Sequence, residues 1–162
     1  MLKHFASALI LVGLCCAPGH ASVHHQAGKS AIASRIKAEV ADEIAGINTH
    51  DPARATAHEA KDTISMENGR PPVVGKAVYE QGLAMVFKRE PAWRLRLIDE
   101  SVDVAKAGDM AIYRSTYRED SARNGVPFTH IGNYVAGFKR DADGLWRVHW
   151  SVVCWQSPSH KK

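Results

Sequence analysis

The chain has 162 residues, of which 21 are Lys or Arg and 17 are Asp or Glu, so its formal net charge is +4. This surplus is spread along the chain and forms no basic block, which makes nucleic acid a poor candidate partner. The length predicts one domain with a single hydrophobic core. The sequence has no spacing typical of a metal site and no glycine-rich phosphate loop, so we expect no metal and no other cofactor.

The N-terminus has the three parts of an export signal. Lys3 makes the start positive, residues 6–17 are apolar and uncharged, and residues 18–21 end the run with small side chains. The apolar run is shorter than the roughly 20 residues that a membrane-spanning helix needs, which favours a cleaved signal peptide over an anchor. We expect cleavage after Ala21, and therefore a periplasmic or secreted protein without a membrane association after cleavage.

The cysteines agree with this interpretation. Cys15 and Cys16 lie inside the signal, and lipidation there is an alternative, but Leu14 stands where lipoprotein signals have a small residue. Cys154 alone remains after cleavage and cannot form an intramolecular disulfide. Its apolar neighbours predict a small buried hydrophobic residue.

Removal of residues 1–21 from 162 leaves 141 residues. The predicted segments of this mature chain are a disordered N-terminus, one domain and a tail, at 22–29, 30–157 and 158–162. Apolar residues at helical spacing predict a first helix over 30–48. Asp51 and Pro52 are an N-cap and a first-turn residue for a short second helix. A third helix is expected from about Lys76 to Arg89.

After Pro91 the apolar pattern changes to the period of a strand. A short strand over 62–66 precedes the third helix, and a polar loop is expected over 120–127. The four longer predicted strands cover 94–106, 110–119, 128–140 and 146–155. Because helices come first and strands follow without βαβ alternation, the sequence predicts an α+β fold with an antiparallel sheet.

Four stretches of the sequence resemble characteristic turns and hairpins of one superfamily. They are His50-Asp51-Pro52-Ala53-Arg54-Ala55, Gly69-Arg70-Pro71-Pro72-Val73-Val74-Gly75-Lys76, Ala107-Gly108-Asp109-Met110-Ala111 and Asp141-Ala142-Asp143-Gly144-Leu145-Trp146-Arg147-Val148. In this order they resemble the nuclear transport factor 2-like superfamily, and within it the SnoaL-like and ketosteroid-isomerase-like proteins. The resemblance implies a cone in which three N-terminal helices pack into a curved antiparallel sheet around a pocket. It implies no single reaction, because the fold hosts both enzymes and binding domains.

Glu43 is the most informative candidate site residue. It shares one helical face with Ile36, Val40 and Ile47, which places a carboxyl group beside an apolar stripe. A carboxylate there must find a donor, take a raised pKa or reach solvent at the edge of the stripe. The resemblance implies that this face looks into the pocket, where ketosteroid isomerases carry a tyrosine.

The resemblance places further candidates around the same pocket. Glu67 lies near the proton-shuttling aspartate of the isomerases, although a difference of one residue would put Met66 there instead. Asn133 falls at the position of their oxyanion-holding acid. His149 would project beside Asn133 if its face of the last strand is concave, and Tyr117 is a packing or pocket-lining hydroxyl. An exposed Glu67 and a structural His149 are the alternatives.

Two functions are consistent with these features. The first is an exported domain that binds a small apolar or carbonyl ligand without catalysis. The alternative is a cofactor-independent isomerase or cyclase-like enzyme, with Glu43, Glu67 and His149 as acid–base groups and Asn133 as oxyanion support. In both cases we expect a homodimer through the convex face of the sheet, with Trp146 and Trp150 buried between the copies.

Overall fold

A computed structural model describes residues 19–123 and 125–156 of the chain. In this part the elements follow the order α1 (Gly19–Thr49), α2 (Pro52–Ala55), β1 (Glu59–Glu67), β2 (Val73–Val74), α3 (Lys76–Arg89), β3 (Arg94–Val104), β4 (Met110–Arg123), β5 (Val126–Arg140) and β6 (Trp146–Trp155). Within these residues, no helix has the length and apolar character needed to cross a membrane.

The strands form one curved sheet in the order β2-β1-β6-β5-β4-β3. This confirms the predicted α+β class. The expectation of a purely antiparallel sheet is wrong at one position, because β1 pairs with β6 in parallel. The chain passes through α3 and four strands, β2 to β5, before β6 returns beside β1. The two-residue strand β2, which pairs with β1, was not predicted.

Most of the loop predicted over 120–127 is a continuation of the β4–β5 hairpin. The strands stay paired as far as Arg123 and Val126, and Gly125 has the positive φ of 79° that the tight turn requires. The polar side chains bond across the hairpin: the Thr129 hydroxyl donates to Asp120 over 2.6 Å. Polar composition indicated a loop, whereas the residues form the exposed face of a long hairpin.

The first helix starts earlier than predicted. It begins at Gly19 and includes residues 22–29, for which the sequence predicts disorder. Gly28 is the only glycine or proline in that stretch, and a single glycine is tolerated inside a helix. Residues 1–18 of the predicted signal peptide (1–21) and the predicted tail over 158–162 lie outside the described residues. Cleavage after Ala21 stays a prediction.

The apolar face of α1 packs into the concave side of the sheet. Ile36 and Val40 have 0% and 3% of their surface exposed, and they belong to a core with Tyr113 and Phe138. At the end of the helix, Asn48 accepts from the Leu95 backbone N–H over 2.7 Å and donates to the carbonyl of the same residue over 2.9 Å. This pair of bonds joins α1 to the edge strand β3.

A bulge in β6 reverses the alternation of its side chains. Gly137 pairs with Trp150 and Phe138 pairs with Val148, so His149 is the extra residue. Before the bulge, Trp146 and Val148 point into the core, where 7% and 1% of their surface is exposed. After the bulge, odd-numbered residues from Ser151 onward take the inner face. This reversal decides which residues of β6 reach the site.

Candidate functional site

A cavity of about 360 Å³ lies between the concave face of the sheet, α1 and α3. Its volume is within the range of small-molecule sites. Most of its wall is apolar, and Arg70, Pro71 and Arg89 form an exposed rim. The half-buried Glu43 and the buried Tyr134 line the other end. We call these two regions the rim and the deep end of the cavity.

The carboxyl group of Glu43 dominates the chemistry of the deep end. Within the described residues, it takes part in no hydrogen bond and no ion pair. Burial raises the pKa of Glu43 well above its usual 4.5, because the surrounding protein replaces the water that would solvate the charge, and nearby Glu59 adds to the rise. Burial thus shifts Glu43 toward its neutral acid form, which can donate a hydrogen bond into the cavity.

Glu59 is a second buried carboxyl group behind Glu43, at the start of β1. It is 4% exposed and accepts a 2.6 Å hydrogen bond from the Thr63 hydroxyl. Burial raises the pKa of Glu59 to about 7, although the Thr63 hydrogen bond and the charge of Lys76 act in the opposite direction. Both acids are thus shifted toward their protonated forms by their surroundings.

Two tyrosines complete the deep end. Tyr79 on α3 and Tyr134 on β5 line the cavity, and burial raises the pKa of both hydroxyls well above 10, with Glu43 and Glu59 adding to each rise. Tyr134 is 9% exposed; the Ser151 side chain beside its hydroxyl acts against the rise in pKa, but no described residue meets the hydroxyl with full hydrogen-bond geometry. The deep end therefore offers acid and phenol groups whose hydrogen-bonding capacity is only partly used.

Aromatic rings and one ion pair line the wall toward the rim. Glu67 binds Arg70 over 3.0 Å and accepts from the indole N–H of Trp155 over 3.2 Å. The Trp155 ring meets Tyr117 edge-on, with centroids 5.9 Å apart, and lies 5.6 Å from the exposed His130. These two contacts fix the position of the Glu67 side chain on the cavity wall, and Tyr117 lines the same wall.

The opposite wall carries carboxyl groups that the sequence did not single out. Glu90, at the end of α3, is 7% exposed, accepts from the Ser121 hydroxyl over 3.1 Å and pairs with Arg89. Glu119 on β4 is 6% exposed and also lines the cavity. The period-two pattern from Ser115 through Tyr117 to Glu119 was the available signal, because these side chains share a face.

Two predicted ligand-binding residues lie outside the cavity. Met66 is on the outer face of β1, because its neighbours Ser65 and Glu67 line the cavity and side chains alternate. Asn133 is also on the outer face, where its amide oxygen accepts from Thr116 over 3.4 Å. Tyr134, the next residue, occupies the inward position. The position of Asn133 was predicted by counting residues back from the last hairpin. That count was wrong by one residue, and therefore gave the wrong face of β5.

His149 is not in the cavity either. As the bulge residue it lies on the outer face of β6, where Nε2 is 2.9 Å from Asp141, which also binds Arg147. The hydrogen bond with His149, and to a smaller extent the one with Arg147, holds the pKa of Asp141 below its usual value. The sequence predicts a buried Cys154, and this is wrong: Cys154 is exposed, because the same bulge turns it to the outer face.

The structure therefore brings three of the six predicted site residues together. Glu43, Glu67 and Tyr117 line one cavity, whereas Met66, Asn133 and His149 do not. Reasoning from the sequence missed Glu59, Tyr79 and Tyr134. Tyr79 is in α3, and no local pattern marks it. No role in binding or catalysis follows from position alone.

Comparisons with known proteins bear on the fold. No family model and no curated protein matches the sequence. A nuclear transport factor 2-like protein from Salmonella enterica is similar in structure, with a TM-score of 0.72 and 14% identity over 82% of this chain and 96% of that one. A ketosteroid isomerase-like protein from Erwinia carotovora has a TM-score of 0.61 and 22% identity over 76% and 95%.

A nuclear transport factor 2-like protein of unknown function from Pseudomonas putida gives a TM-score of 0.66, at 17% identity over 81% of this chain and 91% of that one. Similarities at these identities concern the course of the backbone and not the chemistry of the cavity. They agree with the element order, the curved sheet and the position of α1. The chain therefore has the fold of the nuclear transport factor 2-like superfamily.

Proposed function

We propose that the chain is an exported protein that binds one small, largely apolar molecule in this cavity, with the polar head group of the ligand against Glu43. The observation that carries the proposal is the unpaired carboxyl group of Glu43 at the deep end of an apolar cavity. A buried polar group without a partner is costly. A ligand that offers one hydrogen-bonding group at this point, and an apolar body elsewhere, offsets that cost.

The test is binding of small probes by the wild-type protein and by a variant whose cavity is filled. Leu97 lines the cavity, whereas the adjacent Ile98 is 55% exposed. We expect Leu97→Trp to abolish the chemical-shift changes that benzyl alcohol and acetophenone cause in an NMR titration. Ile98→Trp, the matched control, should keep them. Equal responses of both variants, or no response of the wild-type protein to any probe, would overturn the proposal.

Catalysis in the same cavity is the second candidate. It is favoured by a neutral acid and a phenol, Glu43 and Tyr134, that could both donate to an oxygen gaining charge. The carboxylate of Glu67, on the same lining, would act as the base that takes a proton from the carbon beside a carbonyl group. In D₂O the enzyme would then speed the exchange of the α-protons of cyclohexanone, followed by NMR. Exchange at the rate of the buffer alone would leave only the binding function.

Export is supported by the charged start, the uncharged apolar run and the small residues before position 22. The protein isolated from the periplasm or the medium should begin at Ser22. N-terminal sequencing that finds Met1 intact on the protein would contradict export by cleavage. Leu2 at the N-terminus would do the same, because it arises from removal of the initiator methionine alone.

We also propose that two copies pair through the outer face of the sheet. Trp146 cannot contribute as predicted, because it points into the core and is 7% exposed. Ile64, Trp150 and Val152 remain on the outer face, joined by the paired registers of β1 and β6. Light scattering after size exclusion should give the mass of a dimer, and Val152→Glu should give a monomer. A monomeric wild-type protein would remove the proposal.

A further inference from the structure

The charges around the cavity are distributed unevenly. Four glutamates line it, and the two arginines that do so, Arg70 and Arg89, are at the rim with side chains 61% and 63% exposed. Each arginine already binds a glutamate, Glu67 or Glu90. The chain as a whole has more basic than acidic residues, 21 against 17. The acidic excess is therefore a local property of the cavity.

The deep end is the most one-sided part. Among the described residues that line the cavity there, none is Lys, Arg or His. Glu43 faces the cavity, Glu59 lies close behind it, and the rings of Tyr79 and Tyr134 form the adjoining wall. The buried Tyr134 hydroxyl lies beside the Ser151 side chain, but no described residue meets it with full hydrogen-bond geometry.

This set of groups matches the requirements of a protonated amine. An ammonium group has three N–H donors and no acceptor, and here it meets a carboxyl group and phenol oxygens that can accept. Aromatic faces attract a cation further, and more strongly when the site is desolvated. A ketone or aldehyde would use only the donors and would leave the acceptor oxygens of these groups without a partner.

We infer that the head group of the ligand is an organic ammonium ion, carried on an apolar body that fills the remainder of the cavity. This inference rests on the function proposed above and specifies its ligand class. On binding, the carboxyl group of Glu43 gives its proton to the buffer and the resulting carboxylate pairs with the ammonium group. No covalent bond forms or breaks in the ligand.

Binding then depends on pH in a defined direction. Glu59 on β1 acts on Glu43, and Glu43 in turn raises the pKa of Tyr79 on α3 and of Tyr113 and Tyr134 on the sheet. Because the empty site holds a proton that the complex releases, affinity rises with pH until the amine itself loses its proton. A neutral ligand that accepts a hydrogen bond from Glu43 would show the opposite dependence, since ionisation removes the donor.

The experiment compares benzylamine, benzyl alcohol and acetophenone, which have similar apolar bodies, by calorimetry at pH 6 and pH 8. Two buffers of different ionisation enthalpy measure the protons released. We expect benzylamine to bind at least tenfold more tightly than either neutral probe at pH 8, with net proton release. Glu43→Gln should remove this preference, and Asp62→Asn, an exposed carboxylate on β1, should keep it. Tyr134→Phe should weaken benzylamine binding.

Each result has a distinct meaning. Neutral probes that bind as tightly as benzylamine, and that Leu97→Trp excludes, would overturn the ammonium inference and leave the binding function intact. An unchanged preference for the amine in Glu43→Gln, with the variant folded by circular dichroism, would also overturn it. If Leu97→Trp affects the binding of no probe, both the inference and the proposed function fail.

Discussion

Replacement of Glu59 by glutamine tests the electrostatics of the deep end through protein stability. In the folded chain the pKa of Glu59 is about 7, against an ordinary value of 4.5. Between these two pH values the folded state holds a proton that the unfolded state has lost, so the free energy of unfolding falls as pH rises. At about 1.4 kcal/mol per pH unit, the whole interval corresponds to about 3 kcal/mol.

Glutamine cannot ionise, but its amide oxygen can still accept the hydrogen bond from Thr63. Below pH 4.5 we expect Glu59→Gln and the wild-type protein to have similar stability. Above pH 7 the variant should be more stable by up to about 3 kcal/mol. Some dependence on pH should remain, because the raised pKa of Glu43 contributes in the same direction.

Urea denaturation between pH 4 and pH 8 measures both free energies. Asp62→Asn is the control, because it removes an exposed carboxylate from the same strand. The reasoning is refuted if Glu59→Gln and the wild-type protein lose stability equally as the pH rises. If the free energy of unfolding of Glu59→Gln falls between pH 4.5 and pH 8 by as much as that of the wild-type protein, Glu59 is not the group responsible for the fall.

Three further substitutions test the packing that shapes the site, each by urea denaturation. Gly137→Ala should cost about 1–3 kcal/mol, because the added Cβ would overlap the Trp150 ring, and wild-type stability would contradict that contact. Gly82→Ala should stabilise α3 by about 0.5–1 kcal/mol, since nothing lies within 4 Å of the new atom; a loss of stability would show hidden crowding. Asn48→Ala should cost about 1–3 kcal/mol by breaking both hydrogen bonds to Leu95, and a change below 0.5 kcal/mol would mean that water replaces them.

The architecture could be predicted from the sequence where one physical signal acted over many residues. The apolar period of α1 placed Ile36 and Val40 in the core and Glu43 beside it. The N-cap at Asp51 is also as predicted, since its side chain accepts from the Arg54 backbone N–H over 3.0 Å. Such signals are local, so they survive without knowledge of the rest of the fold.

The composition of the site depends on which face of the sheet each strand residue occupies, and this was predicted wrongly for β5 and β6. One bulge residue, His149, exchanges the inner and outer faces of β6, and no turn signal marks it in the sequence. Counting across β5 placed Asn133 inside, although the next residue, Tyr134, lies there. Glu59 could not be found either, because its nearness to Glu43 depends on the pairing of β1 with β6, far apart in sequence.

The central claim is that Glu43 is the buried anchor for a ligand in the cavity. Its carboxyl carbon can be followed by ¹³C NMR through a pH titration, with the signal assigned by its loss in Glu43→Gln. We predict a midpoint well above 4.5 for the free protein, and a lower one when benzylamine is bound. A midpoint near 4.5 that does not respond to any probe would contradict the account.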